Sequence, residues 1–130
     1  MNLKPGIDCA EAAVISLAGK EWFIPLLAVR QNRLIIPRLI KVLPLIEAAK
    51  DPATNAFIDV FSESTMDLMN AIVHAALTRA YDISFDEFLD LPINPHDLMK
   101  AIPSIVKQTR FFSEGEGVQQ AAPGEAQATT

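Results

Sequence analysis

Few side chains in this sequence are equipped for chemistry, and they are scattered. The histidines are His74 and His96, and the cysteine is Cys9. A catalytic histidine needs a group to activate and a third group to orient it. His74 lies between Val73 and Ala75 in an apolar run, which suits a helix residue at the edge of a core. His96 follows Asn94-Pro95, where helix capping accounts for the residues present. Cys9 as a nucleophile would need a base and an orienter beside it, and it falls in a leader, residues 1–10, expected to be loose. The carboxylates Asp82, Asp86, Glu87, Asp90 and Asp97 fall at expected helix starts, where the helix dipole favours them. The sequence has no HExxH, no CxxC, no calcium-loop pattern, no GxGxxG and no P-loop. The expectation is therefore no enzyme, no cofactor and no metal.

Charge carries more information. The formal net charge is −5, which argues against non-specific nucleic-acid binding. The charge is uneven. Lys20 to Lys50 holds six basic residues against two acids, net +4, and Asp51 to Asp97 holds nine acids against one base, net −8. Docking one half on the other, or one copy on the next, would satisfy the split. On one continuous helix Arg30, Arg33, Arg38 and Lys41 fall within about 140° of one another. The run reads as a solvated basic stripe, as a surface for an acidic partner or the chain's own acidic half, or as a nucleic-acid contact. The absence of aromatic residues interleaved with the arginines weighs against the last.

The length of 130 residues is that of a single domain. Half the residues are apolar and mean hydropathy is positive. Either a leucine- and alanine-rich helical core absorbs that excess, or part of it is surface kept for a partner. One cysteine excludes an internal disulfide and suits a reducing cytoplasm. Asp8 and Glu11 interrupt the first apolar run, so it does not read as a signal peptide. No run reaches the ~18–20 apolar residues of a membrane span.

The elements that must position these residues are mainly helical. Residues 12–24 read as a short β-hairpin turning at Gly19-Lys20, because Val14, Ile15, Trp22, Phe23 and Ile24 suit strands and Gly19 accepts a positive φ. A helix is expected from Pro25 to Ile36, broken or kinked at Pro37, with a second run to Lys50 kinked at Pro44. Asp51-Pro52 is a stop-and-restart signal. Residues 54–81 form an amphipathic central helix by their three- and four-residue apolar steps. Ser84 to Glu87 is a capping box opening a short helix to about Asp90. Asn94-Pro95 starts a last helix to about Phe112, bent or split at Pro103. Residues 113–130 have no apolar periodicity and read as a disordered tail. The expected fold is one mainly α domain, residues 1–112, of four to five helices with an N-terminal hairpin.

The hairpin "LAGKEWFIPLLAVR", the proline-interrupted "RLIIPRLIKV", the long central helix, "DISFDEFLDLPIN" and the closing "DLMKAIPSIVKQTRFF" together cover about residues 12–113. In their order and spacing they resemble phage tail assembly chaperones. These are small proteins encoded before the tape-measure protein in long-tailed phages, prophages and gene-transfer agents. The resemblance implies a non-enzymatic role in the host cytoplasm. Such a protein binds the helical tape-measure protein, keeps it soluble until tail-tube subunits polymerise around it, and is absent from the mature virion. It also implies contact with the tail-tube protein through a frameshifted extension, for which the tail from Ser113 to Thr130 is the place to branch. Self-association is a further expectation, and nucleic acid and membrane are not expected partners. A structural virion subunit, or a small adaptor for an amphipathic helix, is the alternative. An apolar groove with charge at its rim would serve such a partner. Trp22, Phe23, Leu26, Leu27 and Leu34, with Arg30, Arg33 and Arg38, are the expected partner-binding residues, and Ile35 and Ile36 extend the apolar set. The same apolar side chains could instead pack on the central helix.

Overall fold

Two strands, β1 (Ala13–Leu17) and β2 (Lys20–Ile24), pair antiparallel as an N-terminal hairpin. The computed structural model describes residues 3–7, 10–50 and 61–110. Cys9, Asp51-Pro52, Phe112 and the tail 113–130 lie outside the described residues. The hairpin turns at Ala18-Gly19, one residue earlier than the sequence suggests, with φ of 54° and 74°. Positive φ at both central residues is the primed turn that matches the twist of two strands. Strand alternation puts Ile15, Leu17, Trp22 and Ile24 inward and leaves Val14 and Phe23, directly opposite each other, on the outer face. Trp22 donates its Nε1–H to the Leu17 carbonyl at 3.1 Å. Its ring meets Tyr81 edge-on at 5.0 Å. The Tyr81 hydroxyl in turn accepts the free edge N–H of Phe23 at 2.9 Å.

The leader is better anchored than its composition suggests. Leu3 bridges Tyr81, and the Lys4 N–H donates to the Ala80 carbonyl at 2.7 Å.

Helix α1 spans Val29–Ala49 without a break at either proline. It also starts four residues later than Pro25. The residues between are a strap: the Leu26 carbonyl accepts from Arg79 Nε and the Leu27 N–H donates to the Gln108 carbonyl. Backbone groups spent that way cannot open a helix. At the first turn Ala28 offers no side-chain cap, and Gln31 Oε1 accepts the Ala28 N–H instead at 3.1 Å. Gln31, Ile35, Leu39, Val42 and Ile46 are buried and form one stripe. Pro37 and Pro44 are both exposed and seven residues apart, so they share the opposite side. Arg33 and Ile40, whose carbonyls the prolines cannot bond, are exposed residues on that side. An interior proline costs ~3 kcal/mol or more, while each buried aliphatic side chain contributes ~1.5–3 kcal/mol. Four such side chains on one stripe outweigh two prolines on the other side.

Helix α2 spans Glu63–Leu77, shorter than the expected 54–81. Ser62 is extended (φ −66°, ψ 157°) and caps it, accepting the Thr65 N–H, so the helix begins there. The first part of the expected helix lies outside the described residues. At the other end Arg79 and Ala80 donate to carbonyls three residues back, and the chain turns away. Helix α3 (Phe85–Leu89) opens on the capping box read from sequence: Glu87 N–H to Ser84 Oγ at 3.1 Å, and Ser84 N–H to Glu87 Oε1 at 2.9 Å. Helix α4 (Pro95–Thr109) is capped by Asn94, whose Oδ1 accepts the His96 N–H at 2.8 Å, and it runs through the exposed Pro103 unbroken. The fold is thus mainly α, with four helices and a hairpin among the described residues.

Helices α1, α2 and α4 and the inner hairpin face share one core, centred on Leu17, Ile24, Ile35, Leu39, Met69, Ile72, Leu77, Ile102 and Ile105. Gln108 crosslinks it. Its buried Nε2 donates to the carbonyls of Ile24 at 2.6 Å and Glu11 at 2.9 Å, tying the open end of the hairpin to α4. Two carbonyls are satisfied by one amide, which a hydrocarbon side chain could not do.

Candidate functional site

The expected partner-binding residues do not form one surface. Trp22 is 3% exposed and Ile35 is 0% exposed, so both belong to the core. They are removed from the candidate surface because strand and helix periodicity turn them inward. Leu26 and Leu27 are half-buried in the strap, and Ile36 is half-buried on the flank of α1. Phe23 is exposed, but on the hairpin beside Val14. The residues that do come together are Arg30, Leu34 and Arg38. With Lys41 they stand at steps of four, four and three, which is one ridge of a continuous helix.

Beside this ridge lies a groove of about 220 Å³ lined by Leu34 and Arg38 of α1, Ala71, His74 and Ala75 of α2, and Phe85 of α3. Leu34 is 49% exposed, Phe85 42% and Leu89, one helical turn further along α3, 50%. On the far flank of α1, Ile40 is 59% and Val29 74% exposed. Small alanines make the floor, and Arg38 forms the rim. The guanidinium folds back, with Nη1 donating to the Leu34 carbonyl at 2.7 Å. Among the described residues the side chains of Arg30, Arg33 and Lys41 have no hydrogen-bond or ion-pair partner. The ion pairs between described residues are Lys50 with Glu47 and Arg110 with Glu11, and neither joins the basic run to the acidic segment.

Sequence reasoning missed the α2 and α3 walls. Phe85 was visible only as part of a capping box. His74, expected at the edge of the core, does stand there. Its Nε2 contacts the Ile83 carbonyl at 2.9 Å, and since a carbonyl only accepts, that nitrogen carries the hydrogen. The ring sits edge-on to Phe85 at 5.2 Å and near Phe88 at 5.8 Å, so it props Phe85 in the groove wall. Among the described residues no carboxylate lines this groove. His96 packs edge-on to Phe61 at 5.2 Å. The Glu87 carboxyl is held below its ordinary range by hydrogen bonds from the Ser84 backbone and side chain. That is capping chemistry on an exposed surface.

A second hollow, about 370 Å³, sits at the start of α1 and is lined by Lys4, Arg30, Arg79 and Thr78 among others. Lys4 Nζ donates to the Thr78 carbonyl at 2.8 Å and Arg79 Nε to the Leu26 carbonyl at 3.2 Å. These cations tie the leader and the strap to the end of α2. Among the described residues no group of three or more histidine, cysteine or acidic side chains could hold a metal ion. No helix among them is long and apolar enough to cross a membrane. Comparison with protein-family models, with curated proteins and with solved structures returned no match for the chain.

Proposed function

We propose that the chain is a non-enzymatic phage tail assembly chaperone that binds the helical tape-measure protein. The observation that carries this reading is the outer side of α1. It exposes Val29, Leu34 and Ile40 together with unpartnered cations, beside a groove of small and aromatic side chains. An amphipathic helix docks by anchors at three- and four-residue steps in such a groove. Rim charge gives direction and an ionic-strength-sensitive release. The protein would act in the host cytoplasm, hold the tape-measure helix soluble, and leave as tail-tube subunits polymerise. The order and spacing of elements across residues 12–113 support the same reading.

Co-expression with the long helical protein encoded beside it tests this. The partner is expected to become soluble and to co-purify. If it stays insoluble and unbound, the reading is wrong. Replacing Arg30, Arg33 and Arg38 together with Glu is expected to weaken the pull-down while the circular dichroism spectrum stays helical. The alternative, a structural virion subunit, predicts fixed stoichiometry in finished particles, whereas a chaperone is absent from them.

A further inference from the structure

The basic ridge of α1 and helix α3 are neighbours, because Leu34, Arg38 and Phe85 line the same groove. They carry opposite charge. The helix α1 has Arg30, Arg33, Arg38 and Lys41 against the single acid Glu47. The chain from Asp82 to Asp90 has Asp82, Asp86, Glu87 and Asp90, all exposed, and no base. Each patch also exposes large apolar side chains: Leu34 on one, Phe85 and Leu89 on the other. On α3, Phe85 and Leu89 share a ridge, and Asp86 and Asp90 each follow one residue behind. Among the described residues no ion pair or hydrogen bond joins the two patches.

We propose that a second copy of this chain covers the groove. The pair is a two-fold dimer in which the α1 ridge of each copy lies on α3 of the other. Two complementary patches side by side make a self-complementary surface, and a two-fold axis between them brings each onto its opposite. Patches at opposite ends of the molecule would instead build an open head-to-tail chain. The apolar side chains supply buried area, while the charges fix the register and disfavour like on like. The inference does not rest on the tape-measure reading. It uses the same groove, so a helical partner and the second copy exclude each other.

Sedimentation velocity of the full chain across a concentration series at low and high salt tests it. The expected species is a dimer that weakens as salt rises. Arg30→Glu with Lys41→Glu, and separately Asp86→Lys with Asp90→Lys, are each expected to raise the dimer dissociation constant by at least about tenfold. Mixing the two variants restores a dimer, because each reversed patch then meets a reversed partner. Should Asp86→Lys loosen α3, Asp90→Lys alone serves as the second arm. A wild-type chain that stays monomeric overturns the proposal. So do variants that still dimerise, or a mixture that stays monomeric. A wild-type chain growing to larger species with concentration overturns the two-fold geometry.

Discussion

The two sides of helix α1 differ more than their composition suggests. The inner side holds Gln31, Ile35, Leu39, Val42 and Ile46, all buried. The outer side holds Leu34 and Ile40, also large aliphatics, yet about half exposed and set among Arg30, Arg33, Lys41 and two prolines. One helix therefore contains apolar residues with two different employments. The inner ones are spent on the fold. The outer ones stay about half in contact with water, which is the physical ground for assigning them to an interface.

Three tests by substitution sharpen or break that contrast. The largest effect belongs to the inner side: Ile35→Ala or Leu39→Ala is expected to lose about 2–5 kcal/mol in urea unfolding. Leu34→Ala and Ile40→Ala are expected to stay within about 0.5 kcal/mol of wild type. Equal losses on both sides would end the distinction. Next comes the backbone of the outer side. Pro37→Ala restores an N–H for the Arg33 carbonyl, and a gain of roughly 1–3 kcal/mol is expected. A loss would mean that the proline shape is itself needed for packing. The smallest effect lies across the groove. Ser84→Ala removes the cap of α3 at a cost of about 1 kcal/mol, and weakens the wall that carries Phe85 without touching α1.

The same cap has a pH signature. Because the folded Glu87 carboxyl sits below its ordinary value of 4.5, its contribution is present above that value and is lost as pH falls through the lower, folded one. The amide resonance of Ser84, which donates to Glu87, should move in that acid window and stay still between neutral pH and the ordinary carboxylate range. A midpoint above the ordinary value would contradict the cap.

Much of the architecture was legible. The caps at Ser84 and Asn94 were read from residue type and spacing alone, because capping is chemistry within four residues. The inward stripes of β1, β2 and α1 follow from periods of two and 3.6. Other features were not legible for specific reasons. Turning at Gly19-Lys20 or at Ala18-Gly19 shifts the pairing by two, so both put Ile15, Leu17, Trp22 and Ile24 on one face. Alternation could not choose between them, and only the backbone reveals the positive φ of Ala18. Pro37 reads as a break or a kink because proline rules are local, while the burial that overrides them comes from helices far along the chain. The apolar residues expected to bind a partner follow one another along a single stretch of sequence, and such a stretch cannot share one face of a helix or a strand. Trp22 and Ile35 therefore left the set, and Phe85, His74, Ala71 and Ala75 entered it.

What the amino-acid sequence determined by itself is local: which segments are helical, where their ends are capped, and that basic and acidic halves are unequal. Those properties depend on neighbours within a turn or two. Tertiary structure alone decided which apolar residues remain uncovered and that the basic ridge and acidic α3 stand side by side. Both outcomes depend on how α1, α2 and α3 pack, and packing joins residues about fifty positions apart, such as Leu34 and Phe85, which no local pattern can pair.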